Sequence, residues 1–335
     1  MKKLSASALL TLLLAVAALA AQAQTIRRVN NNGITGSNIY ATVQAAHDAA
    51  TAGDIIQLEP STTSYGTLTC TKQLTIYGPG YFLSFNQPPA LQASVIAAAL
   101  DNVFFNAGSA NTSMSGVTVN GTVYLSASNI SLLRNYVASN VYIGYYAAAS
   151  NLLIRQNYVG NISYYSYVDN NVLITNNIVN GSVSLNNGSI TGEFSNNAVI
   201  YTYSGSSFDN FTVKNNYFTY SLTTTANTTW RYNLLSQSTL PTLGSSSNNT
   251  ANVPQANVFV LGPGSTQFDA WYKLKTGTNP ATGAGEGGVD VGAFGSATGY
   301  AYRLSGIPAI PAIYQLSQGV SGNTLNVSLS TRSNN

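Results

Sequence analysis

The sequence predicts an all-β solenoid, a parallel β-helix of stacked coils with a helix capping its N-terminal end. Three observations predict it. A signature of an apolar-polar-apolar run, then Asn, then two more apolar or aromatic residues returns about every 20 residues through the middle of the chain, the mark of a stacked repeat. Within each return the side chains alternate as a strand requires, one set to an interior and the other to an outer surface. Only 7% of the 335 residues are charged while 44% are hydrophobic, enough for one continuous core that grows along an axis and needs no second domain.

The elements follow in chain order. Residues 1–23 read as a secretion signal: Lys2 and Lys3, an apolar stretch from Leu9 to Ala20, and the small-x-small end Ala21-Gln22-Ala23. A mature chain beginning near Gln24 is expected outside the cytoplasm, secreted or at the cell surface, and removal of Lys2 and Lys3 takes its formal charge from +3 to +1. No later segment has the ~18 consecutive apolar residues of a membrane span. Residues 24–60 are expected to hold a helix and a first strand, from IYATVQAAHDAATAGDIIQLE (Ile39 to Glu59), with Val43, Ala46 and Ala50 as the apolar face that closes the solenoid. His47, the single histidine, is expected to be solvated or end-capping. Residues 61–295 are assigned to the coils, with a long Ser/Asn-rich loop at about 236–253, and residues 296–335 to a closing tail.

The signature Asn residues are Asn135, Asn157, Asn177, Asn197, Asn216 and Asn233. A corner between two strands of a coil needs a residue that tolerates left-handed backbone, which Asn does better than any residue but Gly. Stacked at the strand spacing of roughly 4.8 Å, successive amides can hydrogen-bond in a file. In the strand before the Asn, Val172 and Ile174 point in and Leu173 and Thr175 out. The same register puts Leu152, Ile154, Phe211 and Val213 in, and Leu153, Arg155, Thr212 and Lys214 out. A second strand aligns at Val123–Leu125, Val141–Ile143, Ile162–Tyr164, Val183–Leu185, Tyr201–Tyr203 and Tyr220–Leu222.

The segments AGDIIQL and LTCTKQLTIYGPGYFL (Leu68 to Leu83) resemble the opening of secreted right-handed parallel β-helix proteins of the pectate-lyase-like superfamily. WYKLKTGTNPATGAGEGGVDVGAFG (Trp271 to Gly295) is similar to the final coil of many bacterial members, and GIPAIPAIYQL (Gly306 to Leu316) resembles the tail of members from Bacteroidetes. The resemblance implies a right-handed coil. It is weak for function, since the superfamily holds lyases, hydrolases, adhesins and proteins without activity.

Composition excludes some roles. With 13 Lys and Arg against 10 Asp and Glu, the chain lacks the clustered basic face of a nucleic-acid binder. Cys70 is the only thiol, so no internal disulfide exists, and it reads as a small buried hydrophobe. The lyases of the superfamily imply outer-sheet acids that hold calcium, or a basic residue that removes a proton. Within the repeats the acids are Asp169, Glu193 and Asp209, and Arg155, Lys214 and Arg231 share an outward column with Thr175 and Ser195 between them. No catalytic motif matches. Glu193, Arg155 and Lys214 are the weak catalytic candidates, with Ca2+ as cofactor only under a lyase reading; otherwise they are solubilising charges, Glu193 and Lys214 forming a surface ion pair.

Twenty-two Tyr favour a different reading, because flat rings beside hydroxyls bind sugars. Tyr124 and Tyr142 on one face, and Tyr136, Tyr158 and Tyr217 just after the signature Asn, are the outward candidates; Tyr is also simply a strong strand former. The expected function is recognition of an extracellular polysaccharide, or structural or adhesive participation in a surface layer with self-association. The alternative is a polysaccharide lyase acting on a uronate-containing glycan.

Overall fold

The computed structural model describes residues 24–334 apart from 168, 187, 202, 204, 263–267 and 297. The expected secretion signal therefore lies outside the described residues. The chain is all-β, 38% strand and 7% helix, and its parallel sheets form a solenoid of about nine turns. Among the described residues no helix is long and apolar enough to cross a membrane.

The middle coils contribute strands to three rows. The first row is a twelve-stranded sheet that begins with Ile39–Tyr40, Ile26–Val29, Ile55–Leu58 and Thr75–Tyr77 and runs through Ser131–Leu133, Leu152–Arg155, Asp169–Thr175, Ile190–Ser195 and Phe211–Lys214 to Ser245–Ser247. A fourteen-stranded sheet supplies the other two. Short strands form the second row: Thr118–Val119, and then, each just after a signature Asn, Ile178–Val179, Ala198–Val199, Tyr217–Phe218 and Leu234–Leu235. The third holds Leu68–Cys70, Val103–Phe105, Val123–Leu125, Val183–Leu185, Ser206–Phe208 and Leu222–Thr224, and the long strands Tyr136–Ile143 and Tyr158–Tyr164 belong to both.

The inward register is as the alternation predicts: Leu152, Ile154, Val172, Ile174, Phe211 and Val213 are all buried. Higher coils fill the interior with Val, Ile and Leu. Lower ones use rings, with Phe194 5.0 Å from Phe208 and 6.1 Å from Phe218. Two third-row strands lie further along than expected. Ser206–Phe208 takes the place assigned to Tyr201–Tyr203, and Leu222–Thr224 that of Tyr220–Leu222. Tyr201, Tyr203 and Tyr220 are consequently exposed loop residues. Phe208, two positions from Ser206, is the larger apolar residue able to fill the core at this level.

The signature Asn residues form a single vertical file, fully buried from Asn135 to Asn233. From Asn157 onward each Oδ1 accepts two hydrogen bonds from the Asn of the coil before it: Asn177 Oδ1 takes the backbone N–H of Asn157 at 2.9 Å and its Nδ2 at 3.0 Å, whereas Asn135 Oδ1 accepts from the Val117 N–H at 3.1 Å. Each Nδ2 also donates to a backbone carbonyl, Asn177 to Ile154 at 2.9 Å and Asn216 to Phe194 at 2.8 Å. A seventh rung, Asn249, lies in the segment read as a long loop, where Ser245–Ser247 extends the first row by one strand. The conformational role differs from the expected one by one residue. Left-handed backbone belongs to the position before each rung: Arg134, Gln156, Asn176, Asn196, Asn215, Tyr232 and Asn248, with φ between 53° and 60°. The rung itself is chosen for its amide, which gives a buried corner both a donor and an acceptor.

At the N-terminal end the helix is shorter than expected, Val43–Ala49, because Ile39–Tyr40 pairs as a strand with Arg28–Val29. Thr42 caps it by accepting from the Ala45 N–H at 3.2 Å. Val43, Ala46 and Ala50 are buried, and so is His47, whose Nε2 accepts from the Thr71 N–H at 3.0 Å. His47 is thus a satisfied core residue, not a solvated one.

The segment Trp271–Gly295, likened to a final coil, lies within a region, 253–307, that holds no solenoid strand among its described residues. This region runs back along the stack from its last coils toward its first. The left-handed column holds it there. The amide of Asn215 accepts from the Glu286 N–H at 2.8 Å, Asn196 donates to Asp290 O at 3.2 Å, and Asn176 donates to Ala293 O at 3.0 Å. Further up, Gln156 donates to Tyr300 O at 3.1 Å and Arg134 to Ile307 O at 2.9 Å. Non-Gly residues in left-handed backbone cost roughly 1–2 kcal/mol each, and here polar side chains at those positions anchor the returning segment. A second apolar cluster lies beneath it: Tyr158, Ile178, Ala198, Tyr217 and Leu234 from the second row against Val253, Val258, Phe259, Val291, Ala293 and Tyr302. The tail then forms an antiparallel hairpin, Ala312–Ser321 with Thr324–Arg332.

Candidate functional site

The charged candidates sit where the first row meets the returning segment. Register places Arg155, Thr175, Ser195, Lys214 and Arg231 in one outward column. Three strand spacings, roughly 14 Å, therefore separate Arg155 from Lys214, and the expected trio does not converge. Lys214 Nζ lies 3.1 Å from Glu193 and 3.7 Å from Glu286, and Arg231 Nε 2.6 Å from Glu286. The Arg231 hydrogen bond holds Glu286 below the usual carboxylate range. The Arg155 guanidinium lies 3.9 Å from the centre of the Tyr300 ring, a cation–π contact, and burial lowers its pKa. Sequence reasoning placed the Glu193–Lys214 pair correctly but missed Glu286 and Tyr300, which come from 55 or more residues downstream of their partners.

The acids do not form a calcium site. Asp169 is buried and accepts from the Ala149 N–H, Asp209 accepts from the Thr225 hydroxyl, and Glu193 is paired with Lys214. Among the described residues no group of three or more His, Cys, Asp or Glu is placed to hold a metal ion. Cys70 is buried, and desolvation raises its thiol pKa, which disfavours the nucleophilic thiolate.

The tyrosine candidates divide. Tyr158 and Tyr217 are completely buried under the returning segment, and Tyr136 is half-buried against Tyr81 and Phe82. The residue after each rung does point away from the core, as alternation requires, but toward covering chain and not toward solvent. These three are therefore packing residues. Tyr124 and Tyr142 do face outward on the third row, aligned with Phe104. Phe104 and Tyr124 stack with centroids 4.6 Å apart and planes at 2°, and Tyr124 and Tyr142 at 5.7 Å and 21°. Stacked rings cover one another and present mainly edges.

Exposed ring surface comes from neighbours absent from the sequence-based candidates. Tyr145 packs edge-on to Tyr124 at 4.7 Å and lies 4.6 Å from Tyr165, while Tyr146 is 56% and Tyr165 53% exposed. The outward positions that continue the row, Thr69 on one side and Ser163, Ser184, Ser207 and Thr223 on the other, are all uncharged. The result is a six-ring cluster on a hydroxyl-lined, neutral face. The signal in the sequence was the doublet Tyr145-Tyr146 one strand-end beyond Tyr142.

The turn carrying that doublet is fixed by the coils on both sides of it. Ser126 Oγ accepts from the Tyr146 N–H at 3.0 Å, and Asp169 accepts from the Ala149 N–H. Burial pushes the Asp169 carboxyl up to about 6. It does the same to Asp269, up to about 6, in a buried network where Asp269 accepts from the Ser305 N–H at 2.8 Å and from Asn86 at 3.2 Å. Each carboxyl binds its proton more tightly in the folded chain than in the unfolded one. Their stabilising contribution is full below about pH 4 and is lost as the pH rises through about 6. Thermal unfolding is therefore expected at higher temperature at pH 5 than at pH 7. Below about pH 4 the lowered Glu286 reverses the trend. Asp169→Asn keeps the acceptor for Ala149 and is expected to stabilise the chain at pH 7 by up to about 3 kcal/mol and to flatten the profile between pH 5 and 7, read from melts across that range.

Comparison of the chain with protein-family models, curated proteins and solved structures gives no match.

Proposed function

We propose that this parallel β-solenoid binds a neutral extracellular polysaccharide through the tyrosine cluster of its third row and does not turn it over. The observation that carries the reading is the gathering of Phe104, Tyr124, Tyr142, Tyr145, Tyr146 and Tyr165 on an uncharged face. Sugar rings present apolar C–H surfaces that rest on aromatic faces, and the surrounding hydroxyls exchange hydrogen bonds with them. A charged glycan finds no counter-charge along this row. Strands at roughly 4.8 Å spacing offer a repeating set of contacts to a polymer running along the stack. Secretion, read from residues 1–23, belongs to the same proposal.

The test is binding to a panel of neutral and uronate-containing polysaccharides by affinity electrophoresis. Tyr146→Ala with Tyr165→Ala is expected to weaken binding to the preferred neutral glycan about tenfold or more, from roughly 1 kcal/mol per ring. Tyr201→Ala with Tyr203→Ala, on a separate exposed pair, is expected to leave it unchanged. Equal binding by both double variants, or release of unsaturated products from a polyuronate, would sink the reading.

A further inference from the structure

The C-terminal hairpin forms a two-stranded sheet of its own. Its register sets Leu316 opposite Leu329, Gln318 opposite Val327, and Val320 opposite Leu325. Directly opposed residues share a side, so these six lie on one face. The other face carries Gln315, Ser317, Ser321, Thr324, Asn326, Ser328 and Ser330. The hairpin is thus a strictly two-sided ribbon. Yet all five apolar residues of the first face are more than half exposed, Val320 at 76% and Leu325 at 61%. An isolated two-stranded hairpin is marginal in water and becomes stable when its apolar face packs on another layer.

We infer that this face packs against the same face of a second copy of the chain, making the protein a dimer through a four-stranded sandwich of two hairpins. Three features select a second copy as the occupant. The face is uncharged, with Arg332 opposite Ala312 at the base of the ribbon and away from Val320 and Leu325, so like approaches like without repulsion. Two such ribbons stack at the ~10 Å sheet spacing with their side chains interdigitated. The area fits a weak, reversible pair: the five apolar residues at this exposure present roughly 450 Å² per copy, so a face-to-face pair removes at most about 900 Å², at the low end of interface size.

The hairpin's base is fixed to the body, since Ile313 O accepts from the Ala93 N–H at 3.1 Å, and Asn334 donates to Ile310 O at 3.0 Å. A dimer formed here therefore ties two solenoids together through their hairpin bases; on the function proposed above, a polymer long enough to reach both third rows gains avidity without any new contact.

Sedimentation equilibrium of the whole mature chain across about 1–100 μM decides the matter. The expected result is a dimer mass that falls to the monomer mass in Val327→Lys with Leu329→Lys, while the thermal melt of the solenoid stays unchanged. Gln318→Leu, which removes the one polar residue of the face, is expected to tighten association at least tenfold. A wild-type monomer at 100 μM, a dimer that persists in the lysine variant, or a monomer that floats with phosphatidylcholine vesicles through this face would each overturn the inference.

Discussion

Alanine in place of Asn177 is expected to lower the unfolding free energy by about 4 kcal/mol. Asn177 is completely buried, and its side chain accepts from the N–H and Nδ2 of Asn157 while donating to Asn197 Oδ1, Ile154 O and Thr175 O. Truncation strands at least two buried donors on Asn157, and each unsatisfied buried group costs about 1–3 kcal/mol. Asp at this position is expected to be worse still, because it keeps the acceptor but loses the donor and buries a charge. Urea unfolding of both variants checks the order Asn, Ala, Asp. A loss below about 1 kcal/mol for alanine would mean that water replaces the rung and that the file contributes little.

The second large effect is expected at Tyr217. Its hydroxyl donates to Val253 O at 2.9 Å, and its ring lies 4.9 Å from Phe259, so it joins the second row to the start of the returning segment. Tyr217→Ala empties a fully buried aromatic site, at a cost of about 3–5 kcal/mol. The loss is expected to be local as well as global: limited proteolysis should cut within 253–307 in the variant before the coils are attacked. Tyr203→Ala, at a residue 81% exposed, is the control and should leave both stability and cleavage pattern unchanged. Equal protease resistance of the two variants would show that the returning segment is held without this contact.

The solenoid was legible in the sequence because its determinants are local and periodic. Alternation within a strand assigned Val172, Ile174, Val213 and their counterparts to the core, and the Asn positions fell in one file. The conformational assignment slipped by one residue because the doublets Asn176-Asn177, Asn196-Asn197 and Asn215-Asn216 carry two different demands, a left-handed backbone and then a buried amide, in the same residue type. The candidate site was legible only in part. Period-2 alternation says whether a side chain leaves the core, which was correct for Tyr124, Tyr142, Tyr158 and Tyr217. It cannot say what lies beyond. The segment that buries Tyr158 and Tyr217, and that pairs Glu286 with Lys214 and Arg231, returns from far along the chain with no periodic signature. Where spacing departs from the repeat, as at Ser206–Phe208, the alignment of Tyr201 and Tyr203 failed with it.

That return has a consequence for how the molecule behaves as a whole. A stack whose coils touch only their neighbours can fray from either end and unfold piecemeal. Here residues near 286 grip the coil of Asn215 while Ser305 donates to Asp269 and Ser305 O accepts from Tyr81 near the opposite end. Early and late parts of the polypeptide are thereby bound into one cooperative unit. Such long-range closure slows folding, and it ties the stability of the first coils to segments near the end of the chain.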